Sequence, residues 1–439
     1  MPNIGEEALY DIYSKHPQIC VDSRKVIDGD LFFGLAGTQV QGNRYAAAAL
    51  ESGAAYAIVD DPSAVKPGDD RYVLVPNSLI ALQNLAIEHR RRRQMPVLAI
   101  TGSNGKTTTK ELVNAVMSRR YTVHATPGNY NNHLGLPLTI LSTPESAEMT
   151  ILEMGANRQG EIAELCRIGR PTHGLITNIG DAHLEGFGGR EGVIAGKGEL
   201  FTWLAANKGV AFVNTDEDHL LEMSAGLDRI IRYHESEGPS KEVPGMETKV
   251  YCVGPQIEVG FLDERGEILR CTVALNGVHN LQNVKSAIAV GKYFKVPCAD
   301  IAGALENYRS ANHRSQELVH RGVSFYWDAY NANPSSVEAA LVAFGQVHNP
   351  RNSVVVLGEM LELGDVAPAA HRRIALRASQ MAETVLLIGE AMAATAKELD
   401  RPWFKDSTAL SEWFWKQEWS GKTVFVKGSR GNRLEVLLG

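Results

Sequence analysis

The sequence predicts an α/β protein of three domains: a small α/β N-terminal domain, a central parallel sheet with a small antiparallel patch, and a C-terminal α/β domain resembling a dinucleotide fold. Three observations carry this expectation. A chain of 439 residues is long enough for two or three domains. From Val97 onward, short apolar runs alternate with helical stretches, the pattern of strands buried on both faces. After about residue 313 the same alternation starts afresh.

Residues 31–35 and 56–59 read as strands, and 45–52 between them as a helix with small residues on its packing face. Residues 72–75 form a further strand, and Asn77 or Ser78 caps a helix running to Arg93. The first domain is thus set at 1–77. The helix closes on Arg90-Arg91-Arg92-Arg93, read as a solvated end with cations at the negative pole of the dipole rather than as a phosphate patch. VLAIT (97–101), MTILE (149–153), GLITNI (174–179) and GVAFVN (209–214) are the strands of the central sheet. Between 249 and 275 two strand-like runs flank Asp263-Glu264-Arg265-Gly266, a hairpin signal. A helix follows at about 279–294, closing a central domain over 78–312. In the third domain, 313–439, VSFYWDAY, SVVVLG, TVLLIG and TVFVKG are strands, and no G-x-G-x-x-G follows the first.

Composition narrows the function. A formal charge of −7 argues against a general nucleic-acid binder. The opening MPNIGEEALYDIY has neither a basic n-region nor an apolar core, so no signal peptide is expected, and no apolar run is long enough to span a membrane. The five scattered cysteines read as reduced thiols of a cytoplasmic protein.

The strongest local signal is Thr101-Gly102-Ser103-Asn104-Gly105-Lys106-Thr107-Thr108, placed after a buried strand and opening a helix. Glycines admit backbone N–H groups close to phosphate oxygens, and the helix N-terminus adds its positive pole. Lys106 can reach the β- and γ-phosphates of ATP, and Thr107 offers a hydroxyl to Mg²⁺. The generic spacing would put a glycine at 100, where Ile100 stands. The central domain is therefore expected to be an ATP-binding P-loop domain. Glu153 ends its strand at the carboxyl edge, where ligands of such sheets bind, and can hold Mg²⁺ or cap a neighbouring helix. His183 follows GLITNI at the same edge, as a metal ligand or a structural hydrogen-bonder. Lys197, from composition alone, is a surface lysine.

Together these motifs resemble the Mur ligase family over nearly the whole chain. The resemblance begins at Asp22-Ser23-Arg24 and GDLFFGLAGTQVQGNRY and runs through TGSNGKTTTK, LEMGANRQGEIAEL, NIGDAHLEGFGG, KGELF, GVHNLQNVKSAIAV and VKGSRG. GNYNN, NANPSS and GEMLELG are typical of the branch that adds D-alanyl-D-alanine, and the Asp-Asn-Pro-Arg segment of the diaminopimelate-adding branch is not found. The resemblance implies an ATP-dependent carboxylate–amine ligase. It would join D-alanyl-D-alanine to the terminal carboxylate of UDP-N-acetylmuramoyl-tripeptide through an acyl phosphate, acting as a cytoplasmic monomer on small molecules. It further implies that Gly102 to Thr108, His279, Asn280, Arg314 and Asp328 contact ATP. Thr107, Glu153, His183 and Lys197 would serve two Mg²⁺, with Lys197 carbamylated by CO₂, and Lys106, His183 and Lys197 would be catalytic. Ser23, Arg24, Asn131 and Asn132 would face the UDP-linked substrate. His133 stands where many relatives carry an acid, and Asn312-His313-Arg314 replaces Pro-Gly-Arg. The alternatives are another amide ligase of this architecture, adding the third residue or polyglutamylating folate, and a P-loop switch that turns over ATP without an acceptor.

Overall fold

The computed structural model describes residues 5–37, 40–235, 247–252, 257–275, 279–310 and 316–439, without the side chains of 247–249, 251, 252 and 279. Three sheets follow one another along the chain. The first holds four parallel strands in chain order, Ile19–Cys20, Leu31–Phe33, Tyr56–Val59 and Tyr72–Leu74. The third has six strands in the order Gln316–His320, Val323–Asp328, Thr423–Lys427, Ser353–Gly358, Thr384–Ile388 and Trp403–Phe404. Its first pair is antiparallel and its other pairs are parallel.

The central sheet positions the site. Its nine strands run Ile268–Thr272, Glu258–Leu262, Glu247–Cys252, Ile230–Glu235, Val210–Asn214, His173–Ile176, Val97–Thr101, Met149–Glu153 and Val123–Ala125. Val97–Thr101 pairs in parallel with both His173–Ile176 and Met149–Glu153, so successive crossovers diverge from it to either side. A crevice at the carboxyl ends of these strands is where an open α/β sheet binds its ligands. The antiparallel patch is an extension of this sheet rather than an appendage. Glu247–Cys252 runs parallel to Ile230–Glu235 and antiparallel to Glu258–Leu262.

Some expected boundaries move for physical reasons. The strand read over 174–179 stops at Ile176, because Thr177 and Asn178 turn their side chains to the loop after Val97–Thr101. The strand read over 31–35 ends at Phe33, where a Cβ on Gly34 would lie 3.1 Å from the Asn43 backbone. The helix Ser78–Arg91 is capped by Asn77, whose Oδ1 accepts from the Ile80 N–H at 2.8 Å. Its arginine run is not the solvated end the sequence suggested. Arg90 is 8 % exposed and donates to the Gly169 and Met95 carbonyls, and Arg93 donates to the Thr143 carbonyl at 2.9 Å. Only Arg91 and Arg92 keep the solvated role, both beside Glu88.

Hydrophobic packing divides the molecule unevenly. One cluster joins Leu9, Tyr13, Leu31 and Phe33 of the first unit to Leu82, Leu85, Leu136 and Leu152 of the second. The third unit fills both faces of its sheet from its own residues, Val323 onward. Cys20, Cys166, Cys271 and Cys298 are buried thiols outside any disulfide, and the Cys252 side chain lies outside the described residues.

Candidate active site

Val97–Thr101 is wholly buried and delivers the chain to a tight loop from which the helix Lys106–Met117 starts. Gly102 and Gly105 have φ of 142° and 78°. A Cβ on Gly102 would lie 2.0 Å from Thr177 Oγ1, and one on Gly105 would lie 2.4 Å from Asn283 Oδ1, so both positions require glycine. The loop is held from behind. Ser103 Oγ accepts from the Gly180 N–H at 2.8 Å and donates to its carbonyl, and the Asn104 carbonyl accepts from Thr177 Oγ1 at 2.6 Å. Lys106 Nζ donates to the Gly102 carbonyl at 2.7 Å, spanning the loop. Thr107 and Thr108 occupy the first helical turn and are both buried.

Glu153 ends the neighbouring strand and is 2 % exposed. Its Oε1 accepts from Thr107 Oγ1 at 3.1 Å and from Asn131 Nδ2 at 2.8 Å. Its Oε2 is buried without a hydrogen bond, with Lys110 Nζ at 3.6 Å. A buried carboxylate oxygen left in this state has a site for a hard cation. Among the described residues no cluster of three His, Cys, Asp or Glu could hold a metal by itself. A cation at Glu153 and Thr107 would therefore draw its remaining ligands from phosphate and water oxygens.

His183 lies in the left-handed region at φ 55°, and its Nδ1 hydrogen-bonds the Glu362 carboxylate of the third unit, itself left-handed at φ 62°. Burial is the largest influence on His183 and lowers its pKa against the opposing pull of Glu362, with Lys106 lowering it further. The shift favours the neutral imidazole, which can give Nδ1–H to Glu362 and leave Nε2 to accept. Lys197 is not the surface lysine that composition suggested. It is 1 % exposed, donates to the Ala156 carbonyl at 3.2 Å and lies 4.9 Å from the Phe187 ring centre. Burial, then the charge of Lys106, pushes its pKa well down, as a lysine nucleophile toward CO₂ requires.

These elements border a cleft of about 630 Å³ between the second and third units. The cleft gathers Ser103 to Thr108, Asn131, Asn132, Glu153, His183, Asn280 and Asp328, while Lys197 sits behind the lining residue Ala156. Asn132 Oδ1 starts the helix Gly135–Leu141 by accepting from the Gly135 N–H at 2.9 Å. Asn280 Oδ1 accepts from Asn283 Nδ2, and Asn283 Oδ1 accepts from Thr109 Oγ1. Ser23 and Arg24 do not line the cleft; Arg24 is paired with Asp22 at 2.8 Å on the surface of the first unit. Arg314 and the His279 side chain lie outside the described residues.

Several participants were missed in the sequence. Lys427 ends the strand beside Asp328, in register with it, and Nζ meets Asp328 Oδ2 at 2.5 Å. Asn333 Nδ2 donates to Asn104 Oδ1 at 2.7 Å, and Asn104 Nδ2 donates to Ser335 Oγ at 3.1 Å, tying the phosphate loop to the third unit. Asn333 also caps the helix Pro334–Val347 through a capping box with Ser336, a signal legible in Asn-Pro-Ser-Ser. His371 is fully buried, and its Nε2 accepts from the Met360 N–H at 2.8 Å, which fixes the turn before Glu362.

Comparison with known proteins matches three family models along the chain: "Mur ligase family, catalytic domain" over residues 17–102, "Mur ligase middle domain" over 100–291 and "Mur ligase, glutamate ligase domain" over 313–430. The UDP-N-acetylmuramoyl-tripeptide--D-alanyl-D-alanine ligase of Bacillus subtilis is 31% identical over 440 residues, covering 96% of this chain and 92% of that protein. Among solved structures, MurF from Acinetobacter baumannii superposes with a TM-score of 0.83 at 28% identity, covering 96% of this chain and 92% of that one. MurF ligase from Thermotoga maritima in complex with ADP gives 0.81 at 26% identity, covering 98% and 97%.

Proposed function

The chain belongs to the Mur ligase family, and we propose that it joins D-alanyl-D-alanine to the terminal carboxylate of UDP-N-acetylmuramoyl-tripeptide at the expense of ATP, in the cytoplasm. The observation that carries the reading is the cleft in which Lys106, Thr107, Glu153 and His183 converge from the central sheet while Asp328 and Lys427 face them from the third.

A carboxylate is a poor electrophile until an oxygen bears a phosphoryl group. The substrate carboxylate attacks the γ-phosphorus, the bond to ADP breaks, and the resulting acyl phosphate is attacked by the free amine, which loses a proton as phosphate leaves. The protein's contribution is charge placement. Lys106 and the helix N-terminus behind it offset the negative charge of the transferring group. The glycine backbone lets N–H groups approach its oxygens. Glu153, Thr107, His183 and a carbamylated Lys197 are the residues that would hold Mg²⁺, which when bound screens the phosphate charges. Neutral His183 offers Nε2 without adding a positive charge. Burial of Lys197 lowers its pKa and so favours the free amine that reacts with CO₂. Asp328 is assigned to the nucleotide ribose and Asn131, Asn132, Ser23 and Arg24 to the UDP-linked substrate, on the resemblance of their segments. Water competes with the amine for the acyl phosphate, so clasping of the third unit onto the phosphate loop favours the reaction.

The test is mass detection of the product formed from UDP-N-acetylmuramoyl-tripeptide, D-alanyl-D-alanine and ATP. A pentapeptide product made only when all three are present is expected; phosphate release that ignores the dipeptide would refute the reading. Lys197→Ala should be inactive and partly rescued by short-chain carboxylates, and full activity without them would remove the carbamate assignment.

A further inference from the structure

A second hollow, of about 670 Å³, opens at the opposite edge of the central sheet. It lies where the strands Val97–Thr101, His173–Ile176 and Val210–Asn214 begin, bordered by Pro96, Thr172 and Gly209. The catalytic reading makes no use of it. Its cationic lining is Arg90, Arg91, Arg93, Arg170, Lys208 and Arg229, and no carboxylate among the described residues lines it. In a chain of net charge −7 this is a local inversion of sign.

The six cations are not equally engaged. Arg90 and Arg93 are occupied by backbone carbonyls. Arg91 approaches Glu88 at 3.9 Å, and Arg229 touches the Lys208 carbonyl at 3.4 Å. Arg170 and Lys208 have no side-chain hydrogen bond or ion pair among the described residues. Crowding of like charge is felt: Arg90 falls to about 10, through burial and then the neighbouring Arg170 and Arg93.

The two uncommitted cations also sit on unfavourable backbone. Arg170 follows the helix Glu161–Gly169 at φ 45°, and Lys208 follows the helix Arg190–Ala206 at φ 54°. Glycine takes such positions after helices without strain, whereas a side chain with a Cβ does not. The helix dipole favours a cation there but does not call for a left-handed one. Two aromatic residues wall the hollow with their polar ends tied down: Trp203 Nε1 donates to the Pro171 carbonyl at 3.1 Å, and Tyr293 Oη meets His173 Nε2 at 3.4 Å.

We propose that this hollow binds a small multiply phosphorylated anion, at a site separate from the phosphate loop. Guanidinium and ammonium groups without internal partners recognise phosphate oxygens, and the volume suits a ligand of that size. The strand His173–Ile176 runs from this hollow to Thr177, which holds the Asn104 carbonyl, so the occupant would touch the start of the strand that buttresses the phosphate loop.

The experiment is calorimetric titration of the full-length enzyme with inorganic triphosphate. Lys106→Ala weakens the phosphate-loop site, and in that background one equivalent should still bind. Adding Arg170→Gly and Lys208→Gly should weaken that equivalent by about ten-fold or more, the loss of charge-assisted contacts. The same glycines relieve the left-handed strain, so the melting temperature should hold or rise. ATP binding more tightly than triphosphate in the Lys106→Ala protein would add a role for Trp203 and Tyr293, and equal affinity would support recognition of the phosphates alone. No triphosphate binding to Lys106→Ala, or binding unchanged by the two glycines, would overturn the proposal. So would phosphatidylglycerol vesicles that bind through Arg170 and Lys208 when triphosphate does not, which would make the face a membrane contact.

Discussion

The junction between the first and second units and the junction between the second and third are built from opposite materials. At the first, Tyr10 and Tyr13 of the helix Glu6–Lys15 share one apolar cluster with Leu82, Leu85, Ile140 and Leu141, and Tyr13 Oη donates to the Leu141 carbonyl at 2.6 Å. At the second, no apolar cluster crosses among the described residues. It is spanned by Asn104 with Asn333 and Ser335, and by His183 with Glu362. Apolar contact resists separation because every exposed area raises the free energy. Polar contacts exchange with water at little net cost. The first junction is therefore a permanent part of the fold, and the second can open for substrates and close for chemistry.

The largest expected effect lies in the permanent junction. Leu82→Ala should cost about 3 kcal/mol by deleting fully buried apolar volume. In urea, loss of the first and second units should remain a single transition; two separated transitions would show that they are not welded. At the opening junction, Asn104→Ala should lower turnover by about 10- to 100-fold with less than about 1 kcal/mol of stability lost, since the clasp orients reactants rather than supporting the core. A stability loss equal to that of Leu82→Ala would erase the distinction.

Lys197 offers a sharper contrast, as a titratable group sealed beside the opening junction. Its pKa is lowered in the fold, so between that value and its ordinary 10.5 the unfolded chain carries the extra proton. Wild-type stability then climbs with pH across that window. In CO₂-free buffer near neutrality, Lys197→Met should be more stable by about 1–3 kcal/mol, and its stability should depend less on pH. Equal stabilities would mean that the fold does not desolvate the lysine. The smallest effect concerns Glu362. Its charge pulls His183 upward, so Glu362→Gln should let the histidine's pKa fall further. If neutral His183 is needed, the acid limb of the rate profile then moves to lower pH; a shift to higher pH would contradict the pairing.

What the sequence made legible was local. The loop from Gly102 to Thr108, Glu153 at a strand end and the capping residue Asn77 all announce themselves within a few neighbours. The partners that complete the site do not. Asn333, Glu362 and Lys427 reach the cleft only because the third unit docks there, and nothing within their own segments points across a chain separation of more than a hundred residues. Composition misassigned Lys197 because its helix is apolar on nearly every side, and lysine is the residue least expected in such a place. Arg90 was misread for a related reason: one of the carbonyls that take it in, that of Gly169, belongs to the end of another helix, 79 residues away.

The two glycines of the phosphate loop carry a consequence for inhibitor design. Thr177 Oγ1 stands 2.0 Å from where any side chain at 102 would begin, and Asn283 Oδ1 stands 2.4 Å from the same point at 105. A drug resting its weight on those two peptide units would press on positions where no replacement amino acid fits, so resistance by substitution there would disable the organism's own enzyme.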